Sequence, residues 1–225
     1  MSGVASLWRS TIGKKYVMAV SGILLLLWVF AHAAGNLKIF DGAESFNQYS
    51  EWLHLMGAPA LGESQALWIM RIVLLVLIAA HIVSFVALWK LDVGARRTHY
   101  KKFQPEVFSF ASRTMRWGGI AVFLFVVYHI LHLTTGHAHR DFIAYDPYHN
   151  VVTGFQSPLV SGIYIFAVIA LGMHLYHGIW SAFQTLGLNN ARYNRVRRPV
   201  AAVVALAVVG MFIAIPLGVL AGVIQ

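Results

Sequence analysis

Six histidines lie inside long apolar stretches of this chain: His32, His81, His129, His132, His174 and His177. An imidazole is expensive to keep in an apolar slab and is retained there when it binds a ligand, relays protons or ties helices together. Histidine nitrogen is also the metal ligand left to this sequence. None of its 225 residues is Cys, which excludes disulfides, thiolate-held clusters and cysteine-attached haem and leaves His, Met and carboxylates. A hydrogen bond between helices is an adequate account of any one of these histidines. Four separate apolar stretches that each carry one point to a shared task, and the fifth carries none.

The elements that must position them are membrane spans. Hydrophobic residues make up 59% of the chain and charged residues 11%, well below the share of about a quarter found in soluble domains. Five stretches meet the length of about 20 apolar residues that a crossing helix needs: 16–37, 67–89, 117–134, 158–183 and 199–223. The expected fold is therefore all-α, one membrane domain over 1–225 built as a bundle of five transmembrane helices. Segments 41–62 and 136–157 read as surface connections, the first with room for a short helix.

The net charge of +9 is concentrated at helix ends rather than in a nucleic-acid-binding stripe. Fourteen of the 17 Lys and Arg residues fall before the first span, between the second and third, or before the fifth. The positive-inside rule then places the N-terminus in the cytoplasm and the C-terminus outside. Six of the eight acidic residues, Asp41, Glu44, Glu51, Glu63, Asp141 and Asp146, fall on the opposite side. A cleaved signal ending near Ala31-His32-Ala33 is the competing reading of the first span, but it would spoil this five-helix charge pattern.

Depth sorts the histidines. With Tyr16, Trp89, Trp117 and Trp180 as inner-interface markers and about 1.5 Å of rise per residue, His32 and His129 lie roughly 24 and 18 Å from the inner surface. His81 and His174 lie at roughly 12 and 9 Å. This yields an outer pair from spans one and three and an inner pair from spans two and four, on levels about 10 Å apart. Two such pairs suit two stacked haems with bis-His iron, closed to oxygen chemistry and fitted for electron transfer. His177, only about 4 to 5 Å from its marker, leaves little room for a porphyrin. Spacing does not separate His129 from His132, since a three-residue step stays on one helix face. Small residues at Ala33, Ala34, Gly35, Ala79, Ala80, Gly172 and Gly178 would let a flat macrocycle approach, and would equally serve plain helix packing.

Taken together, several local segments resemble one family: the single-chain, five-helix, dihaem cytochrome b anchor subunits of succinate dehydrogenases and fumarate reductases. They are Ile12-Gly13-Lys14-Lys15, His32-Ala33-Ala34-Gly35-Asn36-Leu37, Asn47 with Tyr49, Arg71 ahead of His81, Tyr128-His129, and His174-Leu175-Tyr176-His177-Gly178-Ile179-Trp180 continuing to Gln184 and Gly187. The resemblance covers about residues 10–187. It implies His32, His81, His129 and His174 as the axial ligands of two b haems, and it prefers His129 over His132. It also implies a succinate:quinone oxidoreductase of complex II, in which a flavoprotein oxidises succinate and an iron-sulfur subunit passes electrons to this chain. Electrons would enter at the inner haem, continue to the outer one and reduce a quinone, menaquinone by analogy, in the bacterial cytoplasmic membrane.

The basic residues Arg96, Arg97, Lys101, Lys102, Arg192, Arg195, Arg197 and Arg198 are expected to set topology beside anionic lipid, with a minority docking the soluble partners. Candidates for an outer quinone site are Glu63, Lys38, Arg71 and His54; for an inner one, Trp8, Arg9, Ser10 and Lys14. Interfacial anchoring is the plainer role for each. Two other classes compete: a haem b anchor of another quinone-linked enzyme, such as a formate dehydrogenase or hydrogenase, and a transporter or channel with a histidine proton relay.

Overall fold

The computed structural model describes residues 10–95, 110–188 and 190–225, with side chains throughout except at 110–114 and 191–194. Among the described residues seven α-helices follow one another: α1 (Thr11–Asn36), α2 (Ala43–Leu55), α3 (Gln65–Ala95), α4 (Phe110–His129), α5 (Pro147–Phe155), α6 (Pro158–Thr185) and α7 (Ala191–Leu220). No strand occurs among the described residues. Five of the helices, α1, α3, α4, α6 and α7, are long and apolar enough to cross a membrane, as expected.

Local signals explain where they start and stop. The Ser10 side chain accepts the Gly13 backbone N–H at 2.9 Å and caps α1, satisfying one of the free donors of a helix start. A 3-10 turn (Leu37–Asp41) then leads to Gly42, whose φ of 96° turns the chain out of the helix. The Asp146 side chain caps α5 through His149 N–H, and Pro147 and Pro158 stand at the starts of α5 and α6, where a missing N–H costs nothing. One boundary differs from expectation. The sequence places the start of the fifth span at Pro199, whereas the helix α7 begins at Ala191 and carries Pro199 and Pro216 inside it. A proline removes one helical hydrogen bond without ending a helix whose neighbours hold it.

In the bundle α6 is central, packing on α1, α4 and α7, while α3 lies against α1. Outward faces carry Leu24, Leu27, Ile72, Leu75, Phe123, Leu124, Phe166 and Leu206 exposed, a surface that only a lipid environment covers without cost.

The end bearing the C-terminus is closed by the chain itself. Helices α2 and α5 pack together there, joined by Asn47, whose amide donates to Asp146 Oδ1 at 3.0 Å and accepts from Tyr148 N–H at 3.1 Å. Beneath them Ile39, Phe46, Val152, Phe155, Tyr164, Ile215, Val219 and Ile224 form one buried cluster. The two expected surface connections are thus a packed cap.

Candidate histidine sites within the bundle

The four spans bring the histidines together in two pairs. His32 on α1 faces His129 on α4 with ring centroids 6.0 Å apart and planes at 81°. His81 on α3 faces His174 on α6 at 6.2 Å and 63°. These are the pairings that depth predicted.

The pairs stand on two levels. On α1, Gly22 lies against His81: a Cβ there would come within 3.1 Å of the His81 Cε1. On α4, a Cβ on Gly119 would lie 3.5 Å from the His174 Cε1. Gly22 precedes His32, and Gly119 precedes His129, by ten residues, a rise of about 15 Å along each helix. On α6, Tyr164, which touches His129, precedes His174 by the same ten residues. Three helices therefore agree on about 15 Å where the interface markers suggested about 10 Å, because aromatic belts fix a boundary only to within a turn or so of helix.

Three of the four rings have a partner of their own. His81 Nδ1 lies 3.1 Å from the Met18 carbonyl oxygen. A carbonyl only accepts, so this nitrogen carries the proton and Nε2 keeps its lone pair. Ser21 Oγ, which donates to the Val17 carbonyl at 2.7 Å, presents its own lone pair to the same Nδ1 at 3.3 Å. His174 Nδ1 is buried and has no hydrogen-bond partner among the described residues. His32 stacks on Trp28 at 4.8 Å, and its Nε2 is 3.4 Å from the Asn36 amide nitrogen. His129 Nδ1 lies 3.5 Å from the Tyr164 hydroxyl.

The remaining two histidines take other parts. After His129 the helix widens into a π-turn (Ile130–Thr134), which alters the rotational phase that a plain α-helix would give. His132 is carried to α6 and α5 instead of to His32. It meets the Tyr164 hydroxyl at 2.9 Å and stacks between Tyr128 and His139. His177 lies edge-on to Trp180 at 4.9 Å, and its Nδ1 is buried with no hydrogen-bond partner among the described residues.

Two of the small residues expected beside the histidines serve packing elsewhere. A Cβ on Gly35 would strike the Tyr49 ring and one on Gly172 would strike Val209, while one on Gly178 meets nothing within 4 Å. The glycines that do touch the rings, Gly22 and Gly119, share a sequence signal that was open to view: each stands ten residues before the histidine of the other level.

The quinone candidates fall at both ends. Lys38 stands over the Tyr49 ring at 5.8 Å, Arg71 over Trp68 at 4.9 Å, His54 Nδ1 donates to the Ser50 carbonyl and Glu63 is exposed. Arg71 precedes His81 by ten residues and so lies level with the His32–His129 pair. Ser10 caps α1 at the opposite end, with Lys14 beside it; Trp8 and Arg9 lie outside the described residues. Near His81 a cleft of about 200 Å³ is lined by Met18, Phe85, Leu88, Trp89, Asp92 and Arg116, and Arg116 pairs with Asp92 at 2.7 Å. Of the basic residues considered for docking, Arg197 and Arg198 lie over the Trp180 ring at 5.7 and 5.8 Å, and Arg195 is exposed. Arg96, Arg97, Lys101, Lys102 and the Arg192 side chain lie outside the described residues.

An all-helical bundle with five crossing helices and histidines paired across its interior defines a multi-pass membrane protein. The family of succinate dehydrogenase/fumarate reductase transmembrane subunits matches residues 94–214, more than half of the chain, and the protein belongs to that family. It is thus a membrane subunit of an oxidoreductase complex and associates with other subunits of that complex. The match includes His129 and His174 and begins at residue 94, in the last residues of α3, so His32 and His81 lie outside it. Comparison with curated proteins and with solved structures gave no match.

Proposed function

We propose that this chain anchors a succinate:quinone oxidoreductase and holds two b-type haems, one between His81 and His174 and one between His32 and His129, so that it carries electrons between an iron-sulfur subunit and a quinone. The observation that carries this reading is the pair of centroid separations, 6.0 and 6.2 Å. A histidine–metal bond is about 2 Å long and the ring centre lies about 1 Å beyond the nitrogen. Two imidazoles on opposite sides of one metal ion thus have centroids about 6 Å apart. Bound haem supplies one-electron redox chemistry at an iron with no open position.

The chain's own residues fit that task. Met18 fixes His81 as the Nδ1–H tautomer and leaves Nε2 for a metal. The Asn36 amide faces His32 Nε2 only at 3.4 Å, a contact weak enough to yield to a ligand bond. Gly22 and Gly119 keep α1 and α4 close to the His81–His174 level without a side chain in the way. Arg71, partly buried on the level of the other pair, brings a cation into the apolar slab, where a haem propionate, or a quinone oxygen as a neutral acceptor, would stabilise it.

Around this core the finer reading follows the same logic. The C-terminal end, with Glu63, Lys38 and Arg71, is the proposed outer quinone side, with menaquinone as the substrate. The basic end faces the cytoplasm of a bacterium, where flavoprotein and iron-sulfur subunits dock. The deciding experiment is a pyridine haemochrome assay with protein quantification on the purified complex. Two haems b per chain is the expected result; none, in a well-folded preparation, would overturn the reading in favour of a histidine-relay transporter.

A further inference from the structure

We infer that Tyr164 is a positioning residue for His129, its hydroxyl linking that ring to the buried His132. The inference rests on the proposal that His32 and His129 hold a haem.

Tyr164 is 6% exposed and its ring is enclosed by Phe125, Phe155 and Tyr128 at 4.9, 4.7 and 6.0 Å. A hydroxyl in such surroundings must find its partners within the protein. Two present themselves, His132 Nδ1 at 2.9 Å and His129 Nδ1 at 3.5 Å. The hydroxyl has one proton and two lone pairs, so the two nitrogens cannot both accept from it. If His129 offers Nε2 to a metal, its Nδ1 bears the proton and donates to the Tyr164 oxygen. Tyr164 then donates to His132 Nδ1, and His132 carries its own proton on Nε2. This order gives the Tyr164 hydroxyl and the two Nδ1 atoms that face it partners of the right polarity.

The far end of the chain is held in place. His132 is 2% exposed and stacks at 5.4 Å on Tyr128 and 4.8 Å on His139. A Cβ on Gly154 would come within 2.8 Å of its Cε1, so that side admits only glycine. His139 is locked in turn, its Nε2 donating to the Asn150 carbonyl at 2.8 Å and its Nδ1 accepting from Asp141 N–H at 3.1 Å. His132 therefore has no room to turn away from Tyr164. A ligating histidine whose second nitrogen donates to a well-held acceptor is a more basic ligand and favours the oxidised metal.

The test is a spectroscopic redox titration of the purified complex, with the two haem components assigned by a His32→Leu variant. In Tyr164→Phe both haems are expected to remain, because the ring volume is kept. The His32–His129 component should shift toward its reduced form by about three- to tenfold at fixed ambient potential, near 60 mV for a tenfold change. Its low-spin ferric resonance should change while the other component stays where it was. Loss of that one haem in an assembled complex would also support the role, and His132→Phe, which keeps the stack but removes the acceptor, should then give a smaller shift of the same sign. Two haems with both components at wild-type values in Tyr164→Phe and His132→Phe would overturn the inference and leave the haem assignment standing. Absence of haem from the wild-type complex would instead overturn the assignment and the inference with it.

Discussion

The two histidine levels are alike in geometry and unlike in support. At the level of His81 and His174 the only strong hydrogen bond of a ring among the described residues is donated by His81 to the main chain, at the Met18 carbonyl. At the level of His32 and His129 the partners are side chains, Asn36 and Tyr164, and the Tyr164 hydroxyl extends the network to His132, whose ring stacks on His139. One end of the bundle is sealed by α2, α5 and a buried cluster of eight residues, whereas the other buried cluster, Leu175, Ala205 and Val208, lies within the bundle and not at an end. A main-chain carbonyl holds a ring whatever the neighbouring side chains are. A side-chain network can be tuned residue by residue, but it needs a dry, well-packed cap to keep it in order.

The largest effect expected from this comparison is loss of one level without the other. His174→Leu or His81→Leu should lower the haem count from two per chain to one and spare the His32–His129 component; His32→Leu or His129→Leu should do the converse. Loss of both haems from one replacement in an assembled complex would show that the levels are not independent.

Next in size is the cap. Asn47→Ala removes both hydrogen bonds that tie α2 to α5, a destabilisation of about 1–3 kcal/mol. Thermal unfolding of detergent-solubilised protein should report it, with earlier loss of the His32–His129 component on heating. Simultaneous loss of both components would erase the distinction between the levels.

The glycines give a finer contrast. Gly22→Ala forces His81 to move by a few tenths of an ångström, since the added carbon would sit 3.1 Å from its ring, whereas Gly119→Ala makes an ordinary 3.5 Å contact. A shift in the His81–His174 spectrum is expected for the first and little change for the second. The smallest effect belongs to Ser21→Ala. The Met18 carbonyl still holds His81, so the inner component should move by less than the outer one does in Tyr164→Phe; an equal or larger movement would mean that side chains dominate at both levels.

Much of this arrangement could be read along the chain. Hydropathy is a local property, so five spans were visible, and a constant rise per residue turned positions into depths and paired His32 with His129 and His81 with His174. What escaped depended on rotation. His129 and His132 looked equivalent until the π-turn separated them, and Gly35 and Gly172 looked like neighbours of a macrocycle until their faces were seen to meet Tyr49 and Val209. Asn47 stood out as part of a familiar segment, but its partner, Asp146, is 99 residues away.

By itself, then, the sequence determined that this is a five-span membrane bundle, which residue types could bind a metal in it, and at what depths they lie. Those are functions of composition and of distance along a helix. Only the tertiary structure decided which way each ring faces, which carbonyl, hydroxyl or glycine it meets, and that two surface segments close one end. Such contacts follow from how the helices rotate and pack against one another, which no single segment encodes.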